Sequence, residues 1–370
     1  MLSERASCDS VFGPRATSWR ILNERSTEVT DTVDRVFPIV APVYSFLICG
    51  KRHGSSSTPD LRQTRLVEPG DTVVITGLTW TTGRPQVRLR RNGAPSSLYP
   101  LDHLALRYSA GRDSTRWCIG HKPFRDSGVP WTDCDRPPLH HGRTCDRCAA
   151  SDATFASQLH HAHNKGHSEL DSAVRTHLEQ PNSLYLAAFR DGSIKVGTST
   201  AARLPTRLEE QGAWAAQVVA AATDGFAVRT LEDRITVELG LSQSVSVRRK
   251  LAGLLQPVSD DHLRAELSRW TVTVHSLMAR LDDSRTTPSS TGWVSSISTD
   301  PIWARVHPYP LKLHSGNHDV EFIAASGRVT VLGRPGSSDR FLADLRTLYG
   351  IELRIADVEP DELAVQDSLF

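Results

Sequence analysis

The chain has almost no net charge, since 43 Lys and Arg against 42 Asp and Glu leave +1 at neutral pH. A uniformly basic surface is excluded, so any contact with nucleic acid has to come from local segregation of charge. Six cysteines in 370 residues are too few for a disulfide scaffold, and no secretory signal is visible, so a reducing, cytoplasmic setting is expected. Residues 36–50 (VFPIVAPVYSFLICG) form an apolar stretch, but it contains two prolines and is too short to cross a bilayer. It reads as core strands, and no membrane partner is expected. No internal repeat or coiled-coil heptad is present, which removes solenoids and long coiled coils from consideration.

What is present suffices for real cores, because 39% of the residues are hydrophobic and the length suits two or three compact units. The expected class is α+β. Residues 1–60 read as an irregular extension, and 61–112 as a small antiparallel β unit of short apolar runs separated by Gly and Asn-Gly. A cysteine module at 113–150 and a His-rich connector at 151–180 follow. Residues 181–283 carry a hairpin, a helix and trailing helices, and 284–300 read as a Ser/Thr-rich linker. The segment 301–370 returns to strand-like runs that are expected to pack on the N-terminal β unit.

Residues 184–212 hold the most information. The run LYLAAF at 184–189 has the length of a buried strand, and Asp191-Gly192 reads as a two-residue hairpin turn into Ser193-Ile194-Lys195-Val196-Gly197. Thr198, Ser199 and Thr200 are candidate N-caps for a helix on which Arg203, Leu204, Arg207, Leu208 and Gln211 share helical spacing, ended by Gly212. A later helix, 226–239, places Leu231, Ile235 and Leu239 on one apolar stripe with Glu232 beside it.

This hairpin and helix resemble the start of the GIY-YIG endonuclease superfamily, with Leu184-Tyr185 at the first motif and Lys195-Val196-Gly197 at the second. The resemblance implies that Tyr185 acts as, or positions, a general base. It implies that Arg207, with Arg203 as the other candidate, stabilises charge on the phosphorane, and that Glu232 holds a divalent cation, Mg or Mn. Lys195 stands where the second tyrosine is usual, and Thr198 stands where a lysine is common, as a candidate substrate contact. Phosphodiester hydrolysis needs an activated water, a cation on the non-bridging oxygens and a proton for the leaving oxygen.

Two further patterns point toward nucleic acid. Cys118, Cys134, Cys145 and Cys148 fall within 31 residues rich in Gly, Pro, Asp and His, a stretch that hydrophobic burial cannot order but a structural zinc ion can. Cys145-Asp146-Arg147-Cys148 is a regular knuckle, and His121 offers a Cys-x2-His alternative for the other half. In Val87-Arg88-Leu89-Arg90-Arg91, strand alternation puts Arg88 and Arg90 on one face as a candidate phosphate-facing stripe. The His run 159–167 reads mainly as a connector.

The whole arrangement also resembles an uncharacterised prokaryotic family, a domain of unknown function, over residues 65–355. The likeness rests on WCIG at 117–120, the knuckle at 145–148, IKVG at 194–197 and EQGA at 210–213. The expected function is a metal-dependent phosphodiesterase or endonuclease-like protein acting on DNA or RNA with a structural zinc site. The alternative is a zinc-containing nucleic-acid-binding or regulatory protein without catalysis.

Overall fold

The computed structural model describes residues 67–111, 113–121, 131–138, 142–151, 159, 162–165 and 167–363. All of them belong to the compact unit Asp60–Phe370. The expectations for residues 1–60, Cys8, Cys49 and the apolar stretch 36–50 lie outside the described residues, as do His160 and the side chains of His163 and His167.

The protein is a mixed α+β structure built on two sheets. The chain starts with β1 (Thr72–Thr81), β2 (Arg84–Arg91), β3 (Ser97–Pro100) and β4 (Ala105–Ala110). After the cysteine module and the short helix α1 (Ser172–Leu178) it forms β5 (Asn182–Ala188) and β6 (Ile194–Thr200). Next come α2 (Leu204–Gln211), β7 (Ala215–Ala222), α3 (Gly225–Leu239), α4 (Val247–Leu255) and α5 (Asp260–Leu281). The remaining strands are β8 (Thr286–Val294), β9 (His307–Pro308), β10 (Gly316–Ser326), β11 (Val329–Gly333), β12 (Phe341–Asp344) and β13 (Glu352–Ile355).

The nine-stranded sheet has the order β3-β2-β1-β13-β4-β10-β11-β12-β9, and the four-stranded sheet the order β6-β5-β7-β8. The N-terminal β unit and the C-terminal segment are therefore one sheet, with β13 inserted between β1 and β4, and not two packed pieces. Its core is made by alternation: β4 buries Leu106, Tyr108 and Ala110 and turns the residues between them outward, while Ile75, Leu89, Phe322 and Phe341 fill the same interior.

The smaller sheet has a fully buried central strand. On β5, Leu184, Leu186 and Ala188 face the core built with α3 and α5, whereas Tyr185, Ala187 and Phe189 face Leu208 of α2. Both faces are covered, which explains the unbroken apolar run. Helix α5 starts where Ser259 caps it by accepting from the His262 N–H, and it packs through Leu263, Leu267, Val274 and Leu277.

Three local expectations are corrected. The hairpin has no two-residue turn: Phe189 and Ser193 pair through the Phe189 N–H at 3.0 Å, and residues 190–192 form a three-residue loop with Gly192 at φ 82. Thr198, Ser199 and Thr200 are strand residues, and Thr200 makes no side-chain cap, because a 3-10 turn at Ala201–Arg203 precedes α2. Residues 284–300 are no linker, since β8 runs through them and pairs antiparallel with β7. Its Ser- and Thr-rich surface is mostly exposed, so backbone pairing rather than apolar burial holds it.

Candidate metal centre and basic cleft

The four cysteines come together. One Sγ from each of Cys118, Cys134, Cys145 and Cys148 lies within 4.8 Å of all the others, and the Cys134 and Cys145 sulfurs are 3.7 Å apart. Tetrahedral zinc with bonds of about 2.3 Å sets its sulfurs about 3.8 Å apart, so the donor set fits such an ion. Backbone N–H groups of Gly120 and Cys145 donate to the Cys118 sulfur at 3.4 and 3.2 Å. Burial pushes the Cys118 and Cys148 thiols up, while the Cys148 backbone N–H holds Cys145 down at about 7. A bound cation would stabilise all four as thiolates. His121 does not join the group, which leaves a four-cysteine site capable of holding a metal such as zinc.

The module is anchored to the larger sheet through the strand that carries the arginine stripe. Arg90 is buried, and its Nη1 donates to the Cys134 carbonyl at 2.8 Å. Asp133 accepts from the Ser96 N–H at 2.6 Å and the Ser96 hydroxyl at 2.5 Å. Arg90 is thus a structural strut and not an exposed phosphate contact, which corrects its expected role. Arg88, on the same face, lies with its guanidinium 4.1 Å from the Trp131 ring centroid. Burial holds its pKa below the usual arginine value, with Asp133 opposing.

At the β6 side of the smaller sheet, where the Val196 N–H donates to the Ser242 carbonyl at 3.0 Å, the sequence-derived catalytic candidates gather. Tyr185 pairs with Gly197 across β5 and β6, and its ring lies directly over that glycine. The Tyr185 hydroxyl accepts from Gln211 Nε2 at 2.7 Å. Burial raises the phenol above its ordinary pKa, while the positive charge of Arg207 and the Gln211 hydrogen bond oppose that shift and Glu232 adds to it. Lys195 reaches over the same ring at 5.9 Å and donates to the Gln243 carbonyl at 3.1 Å. Its pKa falls to about 8 through burial and the nearby Arg207, against the pull of Glu232.

Glu232 is buried on α3. It lies 3.8 Å from the Arg229 guanidinium and accepts a long hydrogen bond of 3.5 Å from Thr198 Oγ1. Among the described residues it belongs to no group of three potential ligand side chains, so a divalent ion there would rely on Glu232 and water. Of the two arginine candidates, Arg207 is the one that acts on Tyr185, whereas Arg203 pairs with Glu210 at 2.9 Å. Tyr185 is only 1% exposed. Solvent therefore reaches the side chains of Arg207 and Arg203 but not the phenol behind them.

Those arginines open on a cavity of about 540 Å³ between the larger sheet with its cysteine module and helix α2. One wall comes from the larger sheet and the cysteine module, with Leu78, Trp80, Leu98, Arg88 and Trp131; the other comes from α2 and the turn between β10 and β11, with Arg203, Arg207 and Arg328. Glu210 and Asp133 also line it. Among the described residues, neither Arg88 nor Arg328 makes an ion pair, and Arg207 reaches Glu210 only at 3.9 Å. Thr198, Tyr185, Lys195 and Glu232 do not line this cavity.

Sequence reasoning missed Gln211, Trp131, Arg328 and Lys250 as site residues. Lys250 donates to the Gln211 carbonyl at 2.6 Å, and burial together with nearby cationic groups, Lys195 first, lowers its pKa to about 8. Gln211 stood in the helical pattern and was legible as a helix residue. Nothing local in the sequence marked Arg328 or Lys250.

Residues 127–295 match the family described as Protein of unknown function (DUF2797). The DUF2797 match takes in three of the four cysteines, the β5–β6 hairpin, α2, α3 and α5, and leaves all nine strands of the larger sheet outside. It is narrower than the expected 65–355 and excludes the WCIG step with Cys118. No curated protein and no solved structure matches the chain. Among the described residues no helix is long and apolar enough to cross a membrane.

Proposed function

We propose that the protein binds nucleic acid in the cleft between its larger sheet and helix α2, with the four-cysteine cluster holding a structural zinc ion that shapes one wall. The observation that carries this reading is the surplus of guanidinium groups: Arg88, Arg203, Arg207 and Arg328 face a cavity that contains only two carboxylates, Asp133 and Glu210. Four arginines against two carboxylates leave a surplus of positive charge that costs self-repulsion and partial desolvation, and a polyanion relieves both. Zinc needs no catalytic role in this reading, because a closed tetrahedral set has no open coordination position.

The test is fluorescence anisotropy with labelled DNA and RNA at several salt concentrations. Wild type is expected to bind with a steep salt dependence, and the Arg88→Glu/Arg328→Glu double variant is expected to lose at least about tenfold in affinity. Equal binding by both proteins would remove the cleft from consideration.

Metal-dependent phosphodiester hydrolysis is a second reading, favoured by the mutual electrostatic coupling of Tyr185, Arg207 and Glu232. It follows the GIY-YIG resemblance and requires the edge at Gly197 to open, because Tyr185 and Glu232 are buried. Incubating the protein with single- and double-stranded DNA and RNA plus Mg or Mn decides it. Cleavage lost in both Tyr185→Phe and Glu232→Ala supports hydrolysis at this site; cleavage unchanged in both removes these residues from the chemistry, and absence of cleavage in wild type leaves binding as the function.

A further inference from the structure

We infer that the cleft seats a single unpaired nucleotide of a single-stranded nucleic acid, with its base on the Trp131 wall and its phosphates on the Arg203, Arg207 and Arg328 wall. The inference rests on the binding reading above and names its substrate class. The two walls differ in chemistry, and a nucleotide divides in the same way. The sheet wall offers Leu98, 46% exposed, beside a partly exposed Trp131 and the edge of Trp80, an apolar surface suited to a flat heteroaromatic ring. The opposite wall offers three arginines that share one carboxylate, Glu210, which Arg203 contacts at 2.9 Å and Arg207 at 3.9 Å.

Trp131 is held for this task. Its Nε1 donates to the Ile119 carbonyl at 3.0 Å, so the ring cannot swing freely, and Arg88 lies against it at 4.1 Å. A guanidinium on a tryptophan presents an extended cationic platform on which bases of any sequence stack. A paired base inside a duplex has both faces covered by its neighbours and cannot reach such a platform, whereas an unpaired base can. The volume of about 540 Å³ lies within the range of roughly 300–1,000 Å³ typical of sites for single small ligands and is too confined to admit a helix of paired strands.

The experiment uses the full zinc-loaded chain and 12-mer oligonucleotides carrying 2-aminopurine, whose fluorescence falls on stacking with an indole. Single-stranded DNA, single-stranded RNA and the corresponding duplexes are titrated against wild type, Trp131→Leu, Trp131→Phe and Arg328→Gln. The expected result is single-strand binding at least about tenfold tighter than duplex binding, with quenching of 2-aminopurine. Trp131→Leu should abolish the quench and lose at least about fivefold in affinity, in keeping with the measured range for one base on one aromatic ring. Trp131→Phe should retain binding, although it lacks the Nε1 bond, which separates stacking from a structural role.

Equal affinity for single strand and duplex, or unchanged quenching in Trp131→Leu, overturns the unpaired-nucleotide inference and leaves the binding reading standing if Arg328→Gln still weakens both. Absence of binding to every oligonucleotide overturns both. If Trp131→Leu fails to retain zinc and fold, the wild-type quench and the single-strand to duplex ratio still decide.

Discussion

Gly197 and Tyr185 show at the residue scale how a motif position can be fixed by packing as much as by chemistry. A Cβ on Gly197 would lie 2.6 Å from the Tyr185 hydroxyl and 2.7 Å from Cζ, inside van der Waals contact with a ring that is itself fully buried. Gly197→Ala is expected to lower the unfolding free energy by about 1–3 kcal/mol, the usual cost of overpacking a core. The loss should shrink in a Tyr185→Leu background, which a double-mutant cycle by urea denaturation measures. Lys250 makes a second prediction. An unfolded lysine keeps its proton to near 10.5, while the folded side chain releases it at about 8, so the unfolded state holds more protons between those values. Stability contributed through this site therefore rises with pH from about 8 toward 10 and is lowest below 8, where both states are charged. Lys195 titrates near the same value and adds in the same direction. The difference in unfolding free energy between wild type and Lys250→Met should increase over that window; a flat difference would sink the assignment.

At the scale of elements, most of the helices were legible because their signals are local. The apolar spacing and Ser259 cap defined α5, and Gly212 in the left-handed region at φ 68 ends α2 where a helix is expected to stop. β8 was not legible, because an edge strand keeps its place by pairing on one side and needs little apolar patterning. His275 supports it, with Nε2 3.0 Å from both the Val219 and the Ser289 carbonyl oxygens. The decisive contact between elements joins α2 to the turn between β10 and β11. A Cβ on Gly327 would lie 2.7 Å from the Gly212 nitrogen, and Gly327 has φ 57. Gly327→Val is expected to push α2 away from the turn, separate Arg207 from Arg328, and reduce both thermal stability and oligonucleotide affinity. Retention of full affinity by a folded Gly327→Val protein would show that the two arginines act separately.

For the whole molecule, the segment around the cysteine cluster lends Trp131 and Asp133 to the wall of the cleft as well as being a fold element. Asp133 ties the module to Ser96, and Arg90 ties it to Cys134, so loss of the metal is expected to disturb Trp131 and Arg88 together. Elemental analysis should find about one zinc per chain after gentle purification. Cys145→Ser, or prolonged chelation, should lower the melting temperature and weaken oligonucleotide binding in parallel. Binding unchanged after complete removal of zinc would uncouple the module from the cleft. The near-neutral overall charge of the chain is compatible with the proposed binding, because Arg88, Arg203, Arg207 and Arg328 share one cavity with only two carboxylates.

The sequence by itself determined the α+β class, the β5–β6 hairpin with its arginine-bearing helix, the amphipathic helices behind them and the gathering of four cysteines. Each is written in spacing over a few tens of residues, through strand alternation, helical period, a glycine stop and a knuckle of two thiols. Tertiary structure decided which of the candidates are accessible. Tyr185 and Glu232 share a face with their expected partners, yet burial on the hairpin side places them behind the wall that Arg207 presents. It also decided that Arg90 supports while Arg88 faces the cavity, and it brought Arg88, Arg207 and Arg328 together from three distant segments. Such meetings depend on how two sheets pack and on one glycine passing close to another, and no local period in a chain encodes a contact across that separation.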